Sequence, residues 1–204
     1  MKAVILLNGE PFRGEIDTSG AYVYCCDGAY SWANGRVKID ETLGDFDSLN
    51  ELPDPPPQEV YPSEKNMTDG EIALFRAIEA GAQEIYIYGG GGKREDHFLG
   101  NLHLLHAAFL RGIPAYLITN YARIFEGAGK IPLNGYKGRT ISLVPFGGDA
   151  HMISSKGLKY PLQDLTLRYG SSRGISNLAV SDEAGVTASR GRVLVFVNFP
   201  KELA

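Results

Sequence analysis

The chain has 204 residues, 44% hydrophobic and 22% charged, with a formal net charge of −4. That length buries a proper core in one large or two small domains, and the acidic balance argues against nonspecific nucleic-acid binding, which needs a basic surface. Every apolar run falls short of the ~18 residues of a membrane span, so a soluble, cytoplasmic chain with no membrane partner is expected.

The elements follow in chain order. Residues 3–7 (AVILL) predict a buried strand that Asn8-Gly9 ends; the run is too short for a signal-peptide core. Residues 22–26 (YVYCC), 84–88 (EIYIY) and 115–119 (AYLIT) predict three more. Continuous apolar runs of this length suit strands covered on both faces. The adjacent Cys25 and Cys26 point to opposite faces of such a strand, which makes them packing residues rather than a disulfide or a metal motif. One helix starts with Thr68 or Asp69 as its cap and ends near Gly81, with Ile72, Phe75, Ile78 and Ala82 as its inner stripe. A second runs from about residue 95 to 111 and stops at Gly112, with Phe98, Leu102, Leu105 and Phe109 on one face. Strand–helix alternation implies a mostly parallel sheet with right-handed crossovers. After residue 120, glycines and prolines punctuate short β-rich runs such as RTISLVPFG and GRVLVFVNF, with no long helical period. The expectation is an α/β domain over 1–120, followed by an all-β sandwich or barrel-like domain over 121–204.

In an open α/β sheet, ligands bind beyond the carboxyl ends of the strands. Asp27, the pair Asp45 and Asp47, and the loop 89–96 follow predicted strands, and Asp69 opens a helix. These aspartates converge if the topology brings the three segments together. Short oxygen ligands suit a hard cation such as Mg²⁺, usually held by one or two carboxylates plus substrate phosphates. Taken alone, Gly44-Asp45-Phe46-Asp47-Ser48 also reads as a turn. Four glycines at 89–92, then Lys93 and Arg94, let backbone amides approach an anion, although neither a Walker A loop nor a dinucleotide fingerprint is present. His97 and Asn101 share the next helix's first face. His103 and His106 lack a zinc ligand pattern.

Together these segments resemble the thiamine pyrophosphokinase family. The resemblance rests on Asp27-Gly28-Ala29, Gly44-Asp45-Phe46-Asp47-Ser48, Lys65-Asn66-Met67-Thr68-Asp69, Arg94-Glu95-Asp96-His97 and Asn101, in that order. In the second half, the stretch at 155–162 (SKGLKYPL) and Gly174-Ile175-Ser176-Asn177 resemble the family's thiamine-binding domain. Asn66 stands where many members carry Asp, and Tyr160 where many carry Trp. The resemblance implies pyrophosphoryl transfer from ATP to the hydroxyl of thiamine, with release of AMP. It implies Mg²⁺ on Asp45, Asp47 and Asp69, supported by Asp27 directly or through water. Asp27, Lys65, Arg94, His97 and Asn101 would serve ATP and its phosphates, while Asp96 would orient Arg94 or thiamine. Ser176 and Asn177 would hydrogen-bond the aminopyrimidine, and Tyr160 would stack on a ring or cover its cationic part. A homodimer with the thiamine site between subunits is implied as well.

Two rival readings remain at this level. Asp45-Phe46-Asp47-Ser48 loosely resembles the D-x-D-x-T motif of haloacid-dehalogenase-type phosphatases, although Leu49 stands where Thr is wanted, so a Mg²⁺-dependent phosphohydrolase is one alternative. A non-catalytic thiamine or nucleotide sensor is the other.

Overall fold

The strand runs of the first half are apolar on both faces because both are covered. In the computed structural model, which describes residues 1–44, 53, 55–56 and 66–200, Ala3, Val4, Ile5 and Leu6 are wholly buried. The chain divides into two compact units, Met1–Asn120 and Tyr121–Ala204.

In the first unit, β1 (Lys2–Leu6), β2 (Ala21–Cys26), β3 (Glu41–Leu43), β4 (Glu84–Tyr88) and β5 (Ala115–Ile118) pair in the order β5-β4-β1-β2-β3. Every one of these pairings is parallel. One 3₁₀ turn, Asp27–Ala29, leads from β2 into the short α1 (Tyr30–Ala33). The longer helices are α2 (Asp69–Glu79) and α3 (Glu95–Phe109). Thr68 caps α2: its side chain accepts from Glu71 N at 3.2 Å, which makes Asp69 the first helical residue. Arg94 precedes α3 without a side-chain cap of its own.

The helix faces match the expected stripes in part: Ile72, Ala82, Leu102 and Leu105 are buried, while the bulkier members lie toward the flanks. The buried side of α2 is Gly70, Ile72, Ala73, Leu74 and Ala77, while Phe75 and Ile78 are half-buried. Small residues let the helix lie close to the sheet. Phe75 is pushed to the flank, where the Arg111 guanidinium sits 4.7 Å from its ring centroid. In α3 the buried residues are Leu102, Leu104, Leu105 and Ala108, with Phe98 and Phe109 half-buried. No described helix is long and apolar enough to cross a membrane.

The second unit is antiparallel β throughout its described pairings. Its strands are β6 (Ala122–Gly127), β7 (Lys130–Pro132), β8 (Thr140–Pro145), β9 (Ala150–Lys156), β10 (Leu165–Leu167), β11 (Asn177–Leu178), β12 (Gly185–Arg190) and β13 (Val193–Asn198). They form the runs β11-β8-β13-β6 and β10-β9-β12-β7. Alternate residues point inward. Ile141, Leu143, Val193 and Val195 from one run thereby meet Ile131, Met152 and Val186 from the other in a single core. The result is a β sandwich.

Candidate active site

The order β5-β4-β1-β2-β3 means that the chain builds outward from β1 in one direction and then returns to build outward from β4 in the other. Such a switch point opens a crevice beyond the carboxyl ends of the two central strands. The loops leaving β1 and β4 are tied together there: Gly9 N donates to Gly89 O at 2.7 Å, and Glu10 N to Gly91 O at 2.6 Å. A Cβ on Gly9 would lie 2.2 Å from Gly89 O, so the two loops approach this closely only because residue 9 has no side chain.

A cleft of about 540 Å³ occupies the crevice. The loop after β1 contributes Asn8 and Gly9, and the end of β2 contributes Asp27. Thr68 and Asp69 come from the start of α2, Gly90, Gly91, Lys93 and Arg94 from the loop after β4, and His97 and Asn101 from α3. Asp27 and Asp69 are the carboxylates of the described lining. Opposite charge comes from Lys93, whose Nζ donates to Asn8 Oδ1 at 3.3 Å, and from Arg94.

Asp27 holds φ 36, rare for a residue with a Cβ. Gly44, at φ +147, passes so near that a Cβ there would be 2.9 Å from Asp27 Cβ. The chain leaving β3 therefore braces the strained residue at the mouth of the cleft. Arg94 is held from one side: its Nη2 and Nε donate to Asp96 Oδ2 and Oδ1 at 2.5 and 3.1 Å. Asp96 Oδ1 also accepts from His97 N at 2.9 Å. The hydrogen bond from Arg94 holds the Asp96 carboxyl down at about 2. Asn101 Nδ2 donates to Gly90 O at 2.8 Å, fastening the glycine loop to α3.

The second unit presents another polar group. Asn177 is buried, and its Oδ1 accepts from Tyr160 N at 3.0 Å and Leu178 N at 2.8 Å. Its Nδ2 donates to Tyr160 O at 2.7 Å. Tyr160 itself is 56% exposed, and the neighbouring Ser176 is exposed with φ 63.

The family model for the thiamin pyrophosphokinase catalytic domain matches residues 15–117, and that for the thiamin pyrophosphokinase vitamin B1 binding domain matches residues 130–193. The chain belongs to the thiamine pyrophosphokinase family. The thiamine pyrophosphokinase of Bacillus subtilis is 30% identical over 213 residues, covering 97% of this chain and 99% of the relative. A crystal structure of thiamine pyrophosphokinase from that organism superposes with TM-score 0.85 at 28% identity, over 97% of this chain and 99% of the other. Those from Geobacillus thermodenitrificans (TM-score 0.82, 23% identity, all of both chains) and yeast (TM-score 0.76, 13% identity, 99% and 87%) share the fold. As a thiamine pyrophosphokinase family member, the chain is an enzyme of the transferase class.

Within that family frame, Asp27, Asp69, Arg94, His97 and Asn101 come together around one cleft. Asp96 is not part of its lining, and its carboxylate is spent on Arg94 and the His97 amide. Asp45, Asp47 and Lys65 lie outside the described residues. Tyr160, Ser176 and Asn177 cluster in the second unit, but the Asn177 carboxamide faces the backbone of Tyr160 rather than open space. Sequence reasoning missed Asn8 and Gly9 as lining residues. Their one signal was the NG step closing the first strand, which also reads as an ordinary turn.

Proposed function

We propose that the chain transfers the β,γ-pyrophosphoryl group of ATP to the hydroxyl of thiamine, forming thiamine diphosphate and AMP. The observation that carries this reading is the cleft at the β1/β4 switch point, where two carboxylates, two cationic side chains and a glycine loop face one space. Nucleotide phosphates fit such a rim: loop amides and Lys93 take phosphate oxygens, and Arg94 faces the charge that builds on the group in transfer.

In the reaction the thiamine hydroxyl oxygen bonds to the β-phosphorus in line, and the bond from that phosphorus to the α–β bridging oxygen breaks. The electron pair leaves with AMP, and the hydroxyl proton passes to solvent. Alignment and charge stabilisation carry most of the acceleration, so no strong base is needed. Asp96 is unsuited to that task in any case, since a carboxyl held at about 2 is a poor proton acceptor. Its part is to hold the guanidinium of Arg94 in place.

Asp27 and Asp69 suit Mg²⁺, which is typically held by one or two carboxylates plus substrate phosphates. Asp45 and Asp47 of the GDFDS segment would complete that set, and Lys65 would add a phosphate contact. Bound Mg²⁺ would supply neutralisation of phosphate charge. Tyr160 and Ser176 would meet thiamine. A cytoplasmic setting accords with two buried free thiols, Cys25 and Cys26. A homodimer accords with the large apolar side chains left exposed on the second unit, among them Ile153, Tyr169 and Ile175.

Purified protein incubated with Mg²⁺ and ATP, with and without thiamine, tests the proposal when the nucleotide products are resolved. AMP appearing only with thiamine is the expected result. ADP and phosphate released without thiamine would identify a phosphohydrolase instead. Thiamine binding with no turnover would identify a sensor.

A further inference from the structure

The second unit contains a device that its motif does not reveal. Residues 158–160 run antiparallel to 177–179: Leu158 bridges Ala179, and Lys159 N donates to Leu178 O at 2.8 Å. The ladder would end there, because Ser176 turns away at φ 63. The Asn177 side chain continues it by one residue. Its carboxamide bonds both the N–H and the C=O of Tyr160, as a neighbouring strand's peptide would. Both peptide units flanking the Tyr160 Cα are thereby fixed, and with them the direction in which the exposed ring leaves the backbone. Lys159 Nζ lies 5.4 Å from that ring's centroid, so the ring already presents a face to a cation.

Ser176 is held in a parallel fashion. Its backbone N–H donates to the hydroxyl of Ser142 at 3.1 Å, and Ser142 is buried on β8. An αL conformation costs a residue with a Cβ of order 1–3 kcal/mol unless its surroundings impose it. Ser142 is one group that imposes it here, and the result is that the Ser176 side chain stands exposed beside the Tyr160 segment. Asn177 is only 6% exposed, and backbone groups take both acceptor sites of its Oδ1 and one of its two Nδ2 hydrogens, so most of the carboxamide is engaged within the fold.

We propose that Asn177 and Ser142 are positioning residues of the thiamine subsite, which aim Tyr160 and Ser176 at the substrate and do not touch it. This rests on the function proposed above. It reassigns Asn177 from a substrate contact to a support acting through Tyr160, and it adds Ser142, which lies far from the motif in sequence.

A double-mutant cycle tests it. Thiamine affinity is measured by titration calorimetry, and kcat with KM for each substrate by AMP release, for wild type, Asn177→Ala, Tyr160→Ala and the pair. Asn177→Ala should weaken thiamine binding roughly tenfold, the scale of losing hydrogen bonds that hold a contact. KM for ATP should stay within about twofold, and in the Tyr160→Ala background the same change should add less than about twofold. Additive losses would overturn the inference, since they mean that Asn177 meets thiamine itself. So would an Asn177→Ala protein that melts like wild type and binds thiamine as tightly. If Asn177→Ala fails to fold, Ser142→Ala decides: a several-fold rise in thiamine KM at unchanged ATP KM supports the inference, and no rise overturns it. Wild-type protein that binds no thiamine at all would instead overturn the proposed function, and the inference with it.

Discussion

Arg94 illustrates what single residues contribute. Its guanidinium is positioned by both oxygens of Asp96, and in the proposed reaction a planar fork held in this way would meet developing charge with little reorganisation. Arg94→Ala should cut kcat by roughly ten- to a thousandfold, measured as thiamine-dependent AMP release; an unchanged kcat would remove Arg94 from the chemistry. The Asp96 carboxyl sits at about 2, below its ordinary 3.8, because Arg94 donates to it. A depressed carboxyl stabilises the fold above its unfolded value and loses that contribution as pH falls through the folded one. For Asp96 the loss therefore falls between pH 3.8 and about 2. The pH–rate curve from about pH 5 to about pH 9 should have the same shape in wild type and Asp96→Asn. An inflection present in wild type and missing in the variant would mean that Asp96 titrates in the mechanism. At this scale the sequence picked out most of the charged side chains that line the cleft, because Asp27, Asp69 and Arg94 sit in compact local patterns. The backbone bonds of Asn177 were not legible, because an amide side chain that substitutes for a strand neighbour looks identical in sequence to one that meets a ligand.

Among the elements, α2 and β3 are coupled by charge. Glu41, 6% exposed on β3, pairs with Arg76 of α2, and Tyr22 donates a hydrogen bond to its other oxygen at 3.4 Å. Both elements lead to the site, since Asp69 opens α2 and the chain leaving β3 braces Asp27. Arg76→Ala strands a buried carboxylate and should cost about 2 kcal/mol, toward the lower end for such pairs because Arg76 is partly exposed. Adding Glu41→Gln should restore part of that loss. Urea midpoints measure both effects, and an unchanged midpoint in Arg76→Ala would show that the pair does not hold the helix. Periodicity located α2 and α3 and put Ile72, Leu102 and Leu105 on the buried side, but it did not find the centre of the α2 contact. It favoured the bulky Phe75 and Ile78, whereas close packing on a parallel sheet selects Gly70, Ala73 and Ala77. Size marks hydrophobicity well and contact distance poorly.

For the molecule as a whole, the change of texture near residue 120 was legible because buried parallel strands and antiparallel hairpins carry different periods and turn residues. Strand order was not legible. Nothing local in Asn8 or Gly91 says that β1 and β4 are neighbours, although that pairing places the cleft. The proposed reaction therefore requires carboxylates from separate segments to share one divalent ion at this rim. Electron paramagnetic resonance of free Mn²⁺, titrated with protein and ATP, measures that directly in wild type, Asp69→Asn and Asp27→Asn. The prediction is at least roughly tenfold weaker Mn²⁺ binding in each variant with the fold intact. Mn²⁺ affinity equal to wild type in both would contradict it.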